Sequence, residues 1–108
     1  MTTIIIVVFL ARYFKRAKVE GNSMYPTFKA GDTVLVSKSK SFKVGDLVVT
    51  SHPHHGNQLI LKRILDIEGN LVELRGDNPL ESSDSRQFGK VDISSVKYKV
   101  IMPSRYFN

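Results

Sequence analysis

Short apolar runs alternate along this chain with Gly, Pro and Asp, and they carry the two-residue period of strands rather than the longer period of helices. Thr33-Val34-Leu35-Val36 follows Gly31-Asp32, and Leu47-Val48-Val49-Thr50 follows Gly45-Asp46, so two Lys-x-Gly-Asp units mark successive strand starts. Their spacing is too short for a solenoid repeat. Gln58 to Ile67 and Leu71 to Arg75 flank Glu68-Gly69-Asn70, which predicts a β-hairpin. The pattern as a whole predicts a mainly β fold, a sheet or barrel with short turns and little helix.

The period of two has a chemical consequence in the first hairpin strand. Ile60, Lys62 and Ile64 share one face, and Leu59, Leu61, Arg63 and Leu65 share the other. A lysine held among aliphatic side chains loses solvation of its charged form, which lowers its pKa and fits it to act as a base. The plainer alternative is a lysine whose stem packs while its head reaches water. Arg63 faces the other way, as a solvent-facing or salt-bridged residue.

Composition narrows the chemistry. The chain of 108 residues is 42% hydrophobic and 24% charged, an ordinary globular balance for one domain with a modest core. The absence of cysteine removes disulfides, a thiolate nucleophile and Cys-based metal sites. The net charge of +6 sits at the front. Residues 1–43 hold eight Lys/Arg against Glu20 and Asp32, whereas residues 44–108 hold eight of each sign. Arg12, Lys15, Arg16 and Lys18 follow the apolar run Ile4 to Leu10, which is too short for a simple spanning helix and has its basic residues on the wrong side for a signal peptide. Two parts are expected: residues 1–18, apolar then basic, as a strand or peripheral membrane contact, and a single domain over 19–108. A truncated or partial anchor is the alternative for the apolar run; if it inserts, the basic residues after it would keep the following domain cytoplasmic and membrane-associated.

Candidate chemistry lies in three pieces: Gly21-Asn22-Ser23-Met24-Tyr25-Pro26-Thr27, then Leu61-Lys62-Arg63-Ile64, then Gly76-Asp77-Asn78 running to Asp84-Ser85-Arg86. A serine hydroxyl is a poor nucleophile without a neighbouring base. In identity, order and spacing the three pieces closely resemble the type I signal peptidase family of serine/lysine endopeptidases, over about residues 19–101. The resemblance implies a signal-peptidase-like β catalytic core. It also implies that Ser23 is the nucleophile and Lys62 the general base, with Ser82 orienting the lysine amine. Gly76 would pack beside the lysine, and Asp84 and Arg86 would support the shape of the site. Gly21 stands where some members carry a serine that donates to the oxyanion, which leaves the Ser23 backbone N–H as the first candidate donor.

Among short members, the chain most resembles the nickel-type superoxide dismutase maturation proteases, which remove a leader from that enzyme's precursor. Arg75 to Arg86, with Pro79 after Gly76-Asp77-Asn78, and the lack of a full anchor carry that likeness. The expected partner is therefore a precursor protein with an N-terminal leader, together with a membrane surface met by residues 4–18. The alternative is a small membrane-associated signal peptidase that acts on exported proteins. Self-cleaving repressors of the DNA-damage response also pair Ser with Lys, but they lack the Pro26-Thr27 continuation and the third block. A nucleic-acid module is disfavoured, because Tyr13 and Phe14 are the only aromatics within the basic cluster. Arg75-Gly76-Asp77 spells an adhesion tripeptide, but it belongs to the longer motif. His52, His54 and His55 offer imidazoles with no adjacent carboxylate or cysteine, so they read as a solvated loop. No cofactor and no metal are expected, since Ser/Lys chemistry needs neither.

Overall fold

The computed structural model describes residues 14–80 and 83–103. Seven strands form one sheet: β1 (Phe14–Lys18), β2 (Thr33–Lys38), β3 (Leu47–Ser51), β4 (Leu59–Glu68), β5 (Leu71–Arg75), β6 (Val91–Asp92) and β7 (Val96–Pro103). The spatial order is β1-β2-β7-β3-β4-β5-β6 with every neighbouring pair antiparallel, so the last strand inserts between β2 and β3. The sheet curls into a half-barrel. Among the described residues, helix is confined to the single turn α1 (Ser85–Phe88) and a 3-10 turn at Ile93–Ser95. The mainly β expectation therefore holds.

The two Lys-x-Gly-Asp units build the same turn. Asp32 accepts from the Lys29 N–H at 2.9 Å and its own N–H donates to the Lys29 carbonyl at 3.0 Å, while Asp46 repeats both bonds with Lys43 at 2.9 and 3.1 Å. Gly31 and Gly45 take φ of 94° and 95°, a conformation that leaves little choice but glycine. Each turn delivers the chain straight into a strand, β2 or β3. At the hairpin tip, Glu68 pairs with Leu71 across a two-residue turn whose first position, Gly69, has φ 61°.

Strand alternation divides the core between the two faces of the sheet. Val48 and Val49 are neighbours in β3 yet belong to different clusters. One cluster joins Val49, Val34 and Val36 with Val19, Met24 and Phe28 of the segment between β1 and β2. The other joins Val48, Ile64, Val72, Leu74, Val91 and Val96. Phe14–Lys18 is a strand hydrogen-bonded to β2, so the sheet begins within the N-terminal basic stretch; Ile4 to Leu10 lies outside the described residues.

Candidate active site

The segment that carries Ser23 is fastened from beneath. Met24 is 1% and Phe28 3% exposed, both within the first cluster, and the Phe28 N–H donates to the Met24 carbonyl at 3.0 Å. Burying these two side chains turns the half-buried Ser23 toward a cleft of about 760 Å³. Ala17, Val19, Met24, Val34, Val49, Leu61 and Lys62 are among the residues that line the cleft with it. Ahead of Ser23, Gly21 has φ 72°, and a Cβ built there would meet no atom within 4 Å. The left-handed backbone, not lack of room, accounts for glycine at this position.

Lys62 reaches the same cleft from β4. Its cross-strand neighbour is Val48, which is fully buried, and Ile60 and Ile64 flank it on its own face. The lysine is 3% exposed, so it does not reach out to water. Burial pushes the amine below the usual lysine value; Asp84 pulls it back up and Arg86 pushes it down again. A lowered pKa makes the neutral, proton-accepting amine available at less alkaline pH. Ser23 and Lys62, far apart in sequence, thus line one cleft.

The third piece anchors both sides. Asp84 is fully buried, and the bonds it accepts include those from the Gly76 N–H at 2.9 Å, the Arg86 N–H at 3.1 Å, and the Arg86 guanidinium at 3.0 and 2.8 Å. It also caps α1 with Gln87 in a reciprocal capping box. The Ser85 hydroxyl accepts from the Leu74 N–H at 2.8 Å, which ties α1 to β5. Gly76, Asp84 and Arg86 thereby form one knot at the end of β5, and its charges act on Lys62. Ser82 lies outside the described residues; Ser83, beside it, lines the cleft.

Arg63, expected to face solvent or a salt-bridge partner, and Thr27, Asp77 and Asn78, to which the motif reading gives no role, join the Ser23 segment to this frame. The Asn78 N–H donates to the Ser23 carbonyl at 2.8 Å, and the Asn78 side chain donates to the Asn22 carbonyl at 3.0 Å. Asp77 accepts a forked pair from Arg63 at 3.0 and 2.8 Å and a further bond from the Thr27 hydroxyl. The Arg63 bonds hold the Asp77 carboxyl below the ordinary aspartate range against the opposing effect of burial. Arg63 follows Lys62 in sequence and points to the other face, so β4 presents the candidate base on one side and a tether for the Ser23 segment on the other. The Gly76-Asp77-Asn78 spacing was visible in the sequence; that it reaches back to residues 22–27 was not.

The histidine loop differs from expectation in one respect. His54 and His55 are exposed, but His52 lines the cleft and packs edge-on against Phe88 with centroids 5.1 Å apart. Desolvation first, then His55, His54 and Lys62, hold His52 below its ordinary pKa. Among the described residues no group of three or more His, Asp or Glu is placed to hold a metal ion.

Known proteins carry the same pattern. The family profile described as signal peptidase, peptidase S26 matches residues 1–78. Mitochondrial inner membrane protease subunit 1 of Schizosaccharomyces pombe is 32% identical over 112 residues, covering 82% of this chain and 71% of that protein. Subunit 2 from the same organism is 31% identical and covers 77% of this chain, which spans only 60% of its length. Signal peptidase I of Streptococcus pneumoniae is 33% identical over 65 residues, 60% of this chain and 31% of that protein. With this match and the Ser/Lys cleft in one molecule, the chain belongs to the S26 signal peptidase family of serine endopeptidases, which remove leader peptides.

Proposed function

We propose that Ser23 and Lys62 form the catalytic dyad and that the substrate is the leader-bearing precursor of a nickel-type superoxide dismutase. The observation that carries the dyad is their shared cleft, in which the lysine is 3% exposed and its pKa lowered. The neutral Lys62 amine takes the proton of the Ser23 hydroxyl as Oγ bonds to the scissile carbonyl carbon. The negative charge that develops on the carbonyl oxygen faces the Ser23 N–H. Collapse breaks the C–N bond, and the Lys62 ammonium gives its proton to the leaving amine. Water then attacks the acyl-enzyme with Lys62 again the base, and the serine regains its proton. Gly76, Asp84 and Arg86 hold the frame, and Ser82 orients the amine.

The substrate assignment is supported by the resemblance of Arg75 to Arg86, with Pro79 after Gly76-Asp77-Asn78, to the superoxide dismutase maturation proteases. A second reading, a small membrane-associated signal peptidase acting on exported proteins, is favoured by the names of the relatives and by the apolar-then-basic residues 4–18. Incubating the full chain with a nickel superoxide dismutase precursor and, separately, with a secretory preprotein, then sequencing the new N-termini, distinguishes the two. Cleavage of the first substrate that is lost in Ser23→Ala and Lys62→Ala is the expected result. Cleavage of the preprotein alone would overturn the substrate, and cleavage by either variant would overturn the dyad.

A further inference from the structure

At the end of β1 away from Ser23 the sheet carries a second concavity. A groove of about 740 Å³ is lined by Lys38, Lys40 and Lys97 around the rings of Phe42 and Tyr98. β2 and β7 place them together, since Lys38 pairs with Tyr98 across the ladder. Lys15 adds a fourth ammonium, 3.1 Å from the Tyr98 hydroxyl and 5.4 Å from its ring centre. Lys38, Lys40 and Lys97 are exposed, and none of them is in a salt bridge found among the described residues. The nearby Asp46 is engaged by Lys99, and Asp92 turns back onto the Ser94 N–H at 2.8 Å. Asp92 keeps its negative charge at the rim, so the surface is predominantly positive, four ammonium groups to one carboxylate, with two aromatic rings in its lining.

Topology says what meets it. Phe14 lies opposite Ser37 at this end of the β1–β2 ladder, whereas Lys18 lies opposite Thr33 at the cleft end. The apolar run Ile4 to Leu10 and Arg12 therefore lead, in sequence, into the sheet beside the lysine groove. An apolar segment followed at once by clustered lysines and a tyrosine is the composition that meets an anionic bilayer surface. We propose that the Lys38–Lys40–Lys97 groove, with Lys15 and Tyr98, docks on the phosphate headgroups of an anionic membrane. The catalytic cleft is then set off from that surface by the length of β1, a few strand residues at about 3.3 Å each. A nucleic-acid phosphate chain would share the charge, but the groove offers no row of aromatic platforms for successive bases.

This inference goes beyond the assignment of the dyad, and its readout needs no cleavage. The full chain, the triple variant K38Q/K40Q/K97Q and the charge-matched control K29Q/K43Q/K90Q are each sedimented with phosphatidylcholine vesicles and with vesicles containing phosphatidylglycerol. The expected result is preferential binding of the wild type and the control to the anionic vesicles, with partitioning of the groove variant lowered about 100-fold, roughly fivefold per lysine. Equal loss in both variants would overturn the proposal, because total charge would then suffice. So would equal binding of the wild type to both kinds of vesicle. Undiminished vesicle binding by the groove variant, with loss of binding to a single-stranded oligonucleotide, would overturn it in favour of nucleic acid. Circular dichroism and thermal unfolding of each variant keep a folding defect apart from all of these.

Discussion

The two walls of the cleft are held by different means. The Lys62 wall is regular sheet: β4 is bonded to β3 on one side and β5 on the other, and the buried lysine lies opposite Val48 with Ile60 and Ile64 on its own strand face. The Ser23 wall is irregular chain, fixed beneath by Met24 and Phe28 and from the side by single hydrogen bonds from Asn78. A base must be desolvated, and a sheet interior accomplishes that with apolar area. A nucleophile must be reachable, so its segment stays at the surface and its position is set by a few directional bonds. Substitutions on the lysine wall should therefore show up in both chemistry and stability, and those on the serine wall mostly in chemistry.

The largest effect is expected for Lys62→Met. Cleavage should fall by at least about a thousandfold, as it should for Ser23→Ala, because the members of the proposed dyad would act as a unit. Thermal stability should move the other way. The folded state lowers the lysine pKa from 10.5, so the cost of the buried ammonium is absent above pH 10.5, grows as pH falls and is full below the folded value. An apolar side chain of similar length removes that cost, so the melting temperature at neutral pH should rise. An unchanged or lower melting temperature with no activity would mean that the amine is well paired in its charged form.

Next comes Asp84→Ala, which removes the cap of α1 and leaves the Gly76 N–H without its acceptor. It should destabilise the fold by about 2 kcal/mol, read as a lower midpoint in urea at unchanged slope. Arg86 is exposed, so its ion pair with the buried aspartate adds little to that loss.

How legible was this division beforehand? The lysine wall could be read almost completely, because strand period alone places Ile60, Lys62 and Ile64 on one face, and the Gly-Asp turns announce β2 and β3. The serine wall could not. Asn78 and Asp77 reach residues 22–27 across some fifty positions of sequence, and no period encodes a contact between two loops. Asp84 and Arg86 were visible as a motif, yet two residues apart they read equally well as an exposed pair; only packing against Gly76 and the end of β5 shows the aspartate to be buried. His52 was missed for a similar reason, since its loop composition is that of a solvated turn and its ring is brought to the cleft by Phe88, distant in sequence.

Asn78→Ala tests the serine wall directly. It removes the side-chain bond to the Asn22 carbonyl and the exposed one from the Leu80 N–H while leaving the backbone bond to Ser23, so stability should fall by about 1 kcal/mol. Turnover should drop further than that, by roughly tenfold to a hundredfold, because a small displacement of the nucleophile is costly to rate. Parallel measurement of kcat and the urea midpoint decides it. A loss of turnover no larger than the loss of folded protein would make Asn78 a stabilising residue only.

The smallest effect returns to the lysine wall and separates electrostatics from burial. Cleavage should rise with pH through the Lys62 pKa, since only the neutral amine accepts the serine proton. Desolvation is the main cause of the lowered value, and the positive charge of Arg86 is a lesser one acting in the same direction, opposed by Asp84. Arg86→Gln removes the repulsion and leaves the lysine buried, so the rising limb of the rate profile should move to higher pH. The glutamine can still donate to Asp84, which limits collateral loss of the knot. The same substitution frees part of the Asp84 charge that Arg86 now neutralises, and that also favours the ammonium, so both consequences shift the limb the same way. A limb displaced to lower pH would overturn the sign of this coupling, and one that does not move while the fold stays intact would show that the charges of the third motif do not reach the base. Burial among Val48, Ile60 and Ile64 would then set its pKa alone.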